Sequence, residues 1–209
     1  MDDIVLRAMM KWPNVPAVYG WLRLDRRGRW LIRMPDRPGP PAAPDGVPRF
    51  ERVVNPAMIE FIGRNYQHDA EGRYFFQNGP QRVFVALEYT PWIWHLDADG
   101  MKLVAHTGAQ PGAPREAYVD EQGGLILVCE QGVGAVLDRD LAALAEGFRD
   151  QGGNALDLEA LIGSVHEGRM VRVRIAGSEV TVGAIRSDEL AARFGYVPHP
   201  RPPEGQPDC

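Results

Sequence analysis

The sequence predicts an α+β protein, with antiparallel β-hairpin-rich sheets and about five helices arranged in two lobes. Two observations carry this. Four segments repeat one pattern, an apolar or aromatic stretch, then Asp-x-x-Gly, then a second apolar stretch: Trp21–Ile32, Tyr66–Phe76, Trp92–Val104 and Tyr118–Leu127. Between and beyond them lie stretches with helical apolar spacing and recognisable start and stop residues. The 209 residues suffice for one large domain or two small ones.

In the repeat, Asp at the first turn position can accept hydrogen bonds from the turn backbone, and Gly at the fourth can take the left-handed conformation. The turn then fixes a register in which each Asp faces the residue after its Gly. In the first copy, Asp25 opposite Arg29 puts Leu22, Leu24, Trp30 and Ile32 on one face. A slip of one residue would mix the apolar and charged sets. The copies are unequally spaced, which points to a reused turn device and not to a solenoid or propeller.

From the N-terminus, residues 2–11 read as a helix capped by Asp2 or Asp3 and stopped by Pro13 and Pro16. The first hairpin follows, and then a flexible loop over 34–49 with six prolines and two glycines. Asn55-Pro56 opens a second helix, with Ile59, Ile62 and Tyr66 inward. Tyr74–Gln77 and Arg82–Tyr89 form a hairpin about Asn78-Gly79, and Trp92–Leu96 pairs with Met101–Thr107. These make an N-terminal lobe over 1–107. The turn-rich residues 108–115 read as the linker.

The second lobe spans 116–196. Strands are expected near 116–119, 124–129 and 133–137. A helix near 139–149 is capped by Asp138 and buries Leu141, Leu144 and Phe148; another lies near 157–165. Met170–Ile175 and Glu179–Ile185 alternate as a hairpin, and Ser187 caps a last helix ending near Gly195. Residues 197–209, with five prolines, read as a disordered tail.

Composition narrows the function classes. The formal charge of −5 argues against general nucleic-acid binding, which needs clustered Lys and Arg. The acidic start, the absence of any long apolar run, and two cysteines in ill-matched places (Cys129 in a core-like strand, Cys209 last) favour a soluble, cytoplasmic protein without a membrane span. No metal-ligand spacing, nucleophile elbow or phosphate-cradling loop is present, and no cofactor is expected. Gly132-Val-Gly134 lacks the third glycine of a dinucleotide turn. His68-Asp69 is a weak base pair, because adjacent strand residues point to opposite faces.

Two groups stand out as candidate sites. Trp92, Trp94 and His106 share a face in the hairpin register, with His106 opposite Trp92 and His95 pointing away. They form either the wall of a ligand cleft or a core face edged by a hydrogen-bonded histidine. Arg169, Arg172, Arg174 and Arg186 form either a patch for an anionic partner or the solvated face of the last hairpin.

The segments Trp12–Trp21, Asn55-Pro-Ala57, Gly63-Arg-Asn-Tyr66 and Phe76–Val85 resemble a family of bacterial proteins of similar length labelled only as a domain of unknown function. The resemblance implies no activity, ligand or catalytic residue. The expected function is a non-catalytic binding or regulatory protein, whose partner is another protein or itself. The alternatives are a hydrolase-like enzyme with a site around His106 and His95, and a self-associating structural subunit using a strand edge.

Overall fold

The computed structural model describes residues 1–35 and 48–205, so most of the proline-rich loop and Cys209 lie outside the described residues. The chain divides into two compact units. One holds Met1–Glu88 together with the segment from Tyr196 onward, and the other is Tyr89–Gly195.

The first unit begins with α1 (Asp3–Lys11), followed by β1 (Val18–Leu24), β2 (Trp30–Arg33) and β3 (Phe50–Arg52). Then come α2 (Pro56–Arg64), β4 (Tyr66–His68), β5 (Tyr74–Asn78) and β6 (Gln81–Leu87). They form a six-stranded sheet in the order β3-β2-β1-β6-β5-β4. The first hairpin has the register its turn dictates: Leu22 faces Ile32, Leu24 faces Trp30, and the Asp25 N–H donates to the Arg29 carbonyl at 3.1 Å. One sheet face packs under α2, where Phe76 meets Phe61 edge-on and Trp30 meets Tyr66. The other face carries a small cluster of Tyr19, Phe75 and Phe84, roofed by the guanidinium groups of Arg73 and Arg82.

The second unit contains β7 (Trp92–Leu96), β8 (Leu103–Ala105), β9 (Glu116–Val119), β10 (Leu125–Cys129) and β11 (Gly132–Val136). After them come α3 (Asp138–Ala145), β12 (Phe148–Arg149), α4 (Leu158–His166), β13 (Val171–Ile175), β14 (Ser178–Ala184) and α5 (Leu190–Phe194). Its eight-stranded sheet runs β12-β13-β14-β9-β10-β11-β7-β8. Val171, Val173 and Ile175 are buried on one face of β13 while Arg172 and Arg174 are exposed on the other, the alternation a half-buried strand requires.

The sheets are mixed and not purely antiparallel. β1 runs parallel to β6, β7 to β11, and β9 to β14. In each unit a three-stranded meander, a helix and a second meander follow one another, and the first strand of the first meander pairs with the last strand of the second. The two units therefore share one topology, to which the second adds the β7–β8 hairpin at an edge and α4 before β13. Asp-x-x-Gly turns follow the first strand of all four meanders, at Asp25, Asp69, Asp120 and Asp150. Asp150-Gln-Gly-Gly153 is a fifth copy that the sequence pattern hides, because Leu141, Leu144 and Phe148 carry helical spacing up to it. Phe148 instead begins β12, and α3 stops at Ala145.

Two expected boundaries move. The 108–115 run does not separate the units, because β7 is paired with β11 in the second unit's sheet. The segment after Gly195 returns to the first unit: Tyr196 is buried, the Val197 N–H donates to the Gly72 carbonyl, and the Leu87 N–H donates to the Pro198 carbonyl at 2.7 Å. Three expected caps also change. Asp2 precedes α1 without a capping bond and binds Arg64 instead; α3 starts at Asp138 itself; Ser187 bonds Glu121 and not the α5 backbone. No helix among the described residues is long and apolar enough to cross a membrane.

Candidate functional site

The aromatic and histidine group lies in the second unit and is mostly core. Trp94 is fully buried, its indole N–H donating to the Leu127 carbonyl at 3.1 Å, and Trp92 stacks on it with ring centroids 5.7 Å apart. The backbone around them is tied by Thr90, whose hydroxyl donates to the Trp92 carbonyl and accepts from the Ala135 N–H.

The third hairpin is one residue out of the expected register. Trp94 faces Ala105 and His95 faces Val104, because Asp97 closes on Lys102 and not on Met101. His106 therefore sits across from Ile93, accepting that residue's N–H on Nδ1 at 3.3 Å, while its ring still reaches Trp92 at 5.8 Å. His95 turns its Nδ1 to the Leu96 carbonyl at 3.0 Å. Gly134, which resembled part of a dinucleotide turn, has a packing role: a Cβ there would lie 2.5 Å from the Trp94 ring.

The arginine group is paired within the chain. Arg172 and Arg174 flank Glu179 at 3.4 and 3.9 Å, and Arg186 meets Asp188 at 3.0 Å. Arg169 meets Glu167 and the Ser164 hydroxyl. Beside Arg172 and Arg174 is a cleft of about 370 Å³, bordered also by Arg149, Glu146 and Glu179. Its charges are mixed, with Arg149, Arg172 and Arg174 set against Glu146 and Glu179.

His68 faces the Asp69 carbonyl, whereas the Asp69 carboxylate accepts from the Glu71 and Arg73 N–H groups and the Arg73 guanidinium. Those contacts hold Asp69 below the usual carboxylate range, against the opposing effect of partial burial. Burial pushes the Cys129 thiol up to about 12, which leaves it unreactive. Among the described residues no group of three or more His, Cys, Asp or Glu is placed to hold a metal.

The most ligand-like feature lies in the first unit, and its residues carried no motif. A cavity of about 270 Å³ opens between α2 and the sheet. Val18, Trp21 and Leu22 of β1, Ile32 of β2 and Val53 just beyond β3 form one side. Met58 and Ile62 of α2 form another; Phe76, Asn78, Gln81 and Val83, around the β5–β6 turn, complete it. None of these side chains is ionisable.

Local sequence explains why space remains there. Asn55 accepts the Met58 N–H at 3.2 Å and Pro56 occupies the first turn, so α2 starts at a fixed point with Ile62 buried and Met58 on its outer side. At the far end Asn65 ties three elements, accepting the Asp2 N–H, donating to the Phe61 carbonyl and receiving the Gln77 N–H on its own carbonyl.

The sheet below is irregular at the same place. Val18 pairs with Val83 and Leu22 with Val85, so four steps along β1 match two along β6, with Gly20 at φ +72. A bulge of this kind bends the strand and re-aims a side chain, here the half-buried Trp21 that lines the cavity. The alternation of β1 in sequence did not reveal it; Gly20, isolated inside a strand pattern, was the available signal.

A protein-family model, DUF2944, described as "Protein of unknown function (DUF2946)", matches residues 1–201. No curated protein matches the chain. Among solved structures, the crystal structure of a DUF1285 family protein from Silicibacter pomeroyi DSS-3 is 15% identical, with a TM-score of 0.46 over 91% of this chain and 98% of its own. That of a DUF1285 family protein from Shewanella baltica OS155 is 12% identical, with a TM-score of 0.37 over 58% of this chain and 87% of its own. With a match extending from residue 1 to residue 201, the chain belongs to the DUF2944 family of proteins of unknown function.

Proposed function

We propose that this protein is a non-catalytic binding protein whose first unit takes a small, largely apolar molecule in the cavity between α2 and the sheet. The observation that carries this reading is the cavity itself, about 270 Å³ and lined by nine apolar side chains and two amides. That is just under the range of roughly 300–1,000 Å³ typical of small-molecule pockets. It is well above the 150 Å³ engineered cavity that holds benzene. A bicyclic ring system or a short chain matches it in size.

The preference over a catalytic role comes from the chemistry of the walls. Among the described residues they offer no acid, base, nucleophile or metal ligand, whereas they offer apolar surface for burial at roughly 25 cal/mol per Å².

Isothermal titration with 2-methoxynaphthalene tests the reading. We expect saturable one-site binding that is lost in Met58→Trp and in Val83→Phe, both of which fill the cavity from partly exposed positions, with circular dichroism confirming that each variant is folded. Absence of saturation up to about 1 mM, or unchanged binding in both folded variants, would overturn it.

A further inference from the structure

The walls also restrict the chemistry of the occupant, and this inference rests on the cavity reading above. We infer that the ligand is uncharged and carries an N–H or O–H donor, which the Gln81 side chain accepts. Three observations lead there.

The first is the absence of an ionisable side chain among the described residues of the lining. An anion or cation seated among these walls would lose part of its hydration shell with no counter-charge to replace it, a cost that grows with the apolar share of the walls.

The second is the orientation of Gln81. Its Nε2 donates to the Pro16 carbonyl at 3.1 Å. A carbonyl can only accept, so the amide nitrogen must be the atom facing Pro16, and Oε1 is left as the acceptor. No donor among the described residues is bonded to that oxygen.

The third is the position of Gln81 in the lining. It sits directly across from Asn78 at the β5–β6 turn, and these two are the amide residues of an otherwise apolar lining. A ligand with one polar end and an apolar body is therefore oriented, its body against Leu22, Ile62 and Phe76 and its donor towards the turn.

Carboxylates and phosphates fail on two counts: they are charged, and when ionised they bring no donor to Oε1. A neutral hydroxyl or amide compound satisfies both requirements. This sets the expected class apart from fatty-acid or aromatic-acid ligands of the same size.

Isothermal titration of the full chain near neutral pH with 2-naphthol, 2-methoxynaphthalene and 2-naphthoate tests the inference, since the three share one apolar body. We expect 2-naphthol to bind about five-fold more tightly than the methoxy compound, in line with one neutral hydrogen bond, and 2-naphthoate to bind at least about ten-fold more weakly than 2-naphthol. Gln81→Met should bring the ratio of the 2-naphthol and 2-methoxynaphthalene affinities close to one, a change of ratio that general loss of folding cannot produce. Binding of 2-naphthoate as tight as that of 2-naphthol would overturn the inference. So would an advantage of 2-naphthol that is absent, or that survives Gln81→Met. Failure of 2-methoxynaphthalene to bind, whatever the other two do, would overturn the cavity reading itself.

Discussion

Asp120 shows how much one turn residue can carry. Its carboxylate is buried, 1% exposed. Oδ1 accepts the Gln122 N–H at 2.9 Å and the Gly124 N–H at 2.7 Å, and Oδ2 accepts the Tyr89 hydroxyl at 2.5 Å. Gly124 is required beside it, since a Cβ there would come within 2.6 Å of Oδ2. The same residue type in the third hairpin, Asp97, accepts the Met101 and Lys102 N–H groups in a more open position. Removing an acceptor from buried donors costs their full desolvation, whereas exposed donors turn to water. Asp120→Ala should therefore destabilise the second unit by about 2–4 kcal/mol, because three part-buried hydrogen bonds lose their acceptor together. Asp97→Ala should cost clearly less. Urea denaturation of the two variants checks the order, and equal losses would show that burial does not govern these turns.

At the scale of elements, the sequence pattern is most informative where a turn and a periodicity agree. The first hairpin is such a case, since the Asp25 turn and the Leu22, Leu24, Trp30 and Ile32 alternation specify one register. The β7–β8 hairpin is the contrary case. Its Asp97-Ala-Asp-Gly100 turn carries the same signature, but it encloses one more residue before pairing resumes at Lys102. A stretch as apolar as Trp92-Ile-Trp does not resist a slip, because either face is acceptable to a core. What decides the register is β11, a partner distant in sequence: Gly134 faces Trp92 and leaves room for the Trp94 ring. The cavity was illegible for a related reason. It arises where the two-residue excess of β1 over β6 falls beneath α2, a mismatch visible only once the parallel pairing is known. Gly134→Val should displace Trp94 and cost about 1–3 kcal/mol or more, the usual penalty for overpacking. A shift of tryptophan emission towards that of solvated indole should accompany it. Unchanged stability and emission would mean that β11 is not what fixes Trp94.

For the whole chain, recurrence of the topology explains why the Asp-x-x-Gly signal is so prominent and why it carries no information about boundaries. A turn that recurs after the first strand of every meander marks positions within a unit and says nothing about where one unit ends. The extra hairpin at Asp97 sits beside the first unit in sequence but belongs to the sheet of the second. Parallel pairings, which define both units, join strands far apart in the chain and leave no local trace. The C-terminal return is the clearest consequence. Proline content made 197–209 read as a tail, yet its first residues continue from Tyr196, which is 6% exposed and whose hydroxyl is pushed far up in pKa by burial, with Tyr74 nearby adding to the effect. The Pro198 carbonyl receives the Leu87 N–H, and Val197 donates to Gly72 in the second Asp-x-x-Gly turn. Proline suits this segment because it has few ladder donors to supply and its chain is already stiff before folding. Ending the chain after Gly195 should therefore weaken the first unit and spare the second, although every residue removed follows the second unit in sequence. Loss of a buried aromatic side chain alone costs about 3–5 kcal/mol. Amide hydrogen exchange resolved by segment reads the outcome directly: protection should fall across β5 and β6 and hold across β9, β10 and β13. Equal loss in both sets, or none in either, would show that the return segment does not belong to the first unit's core.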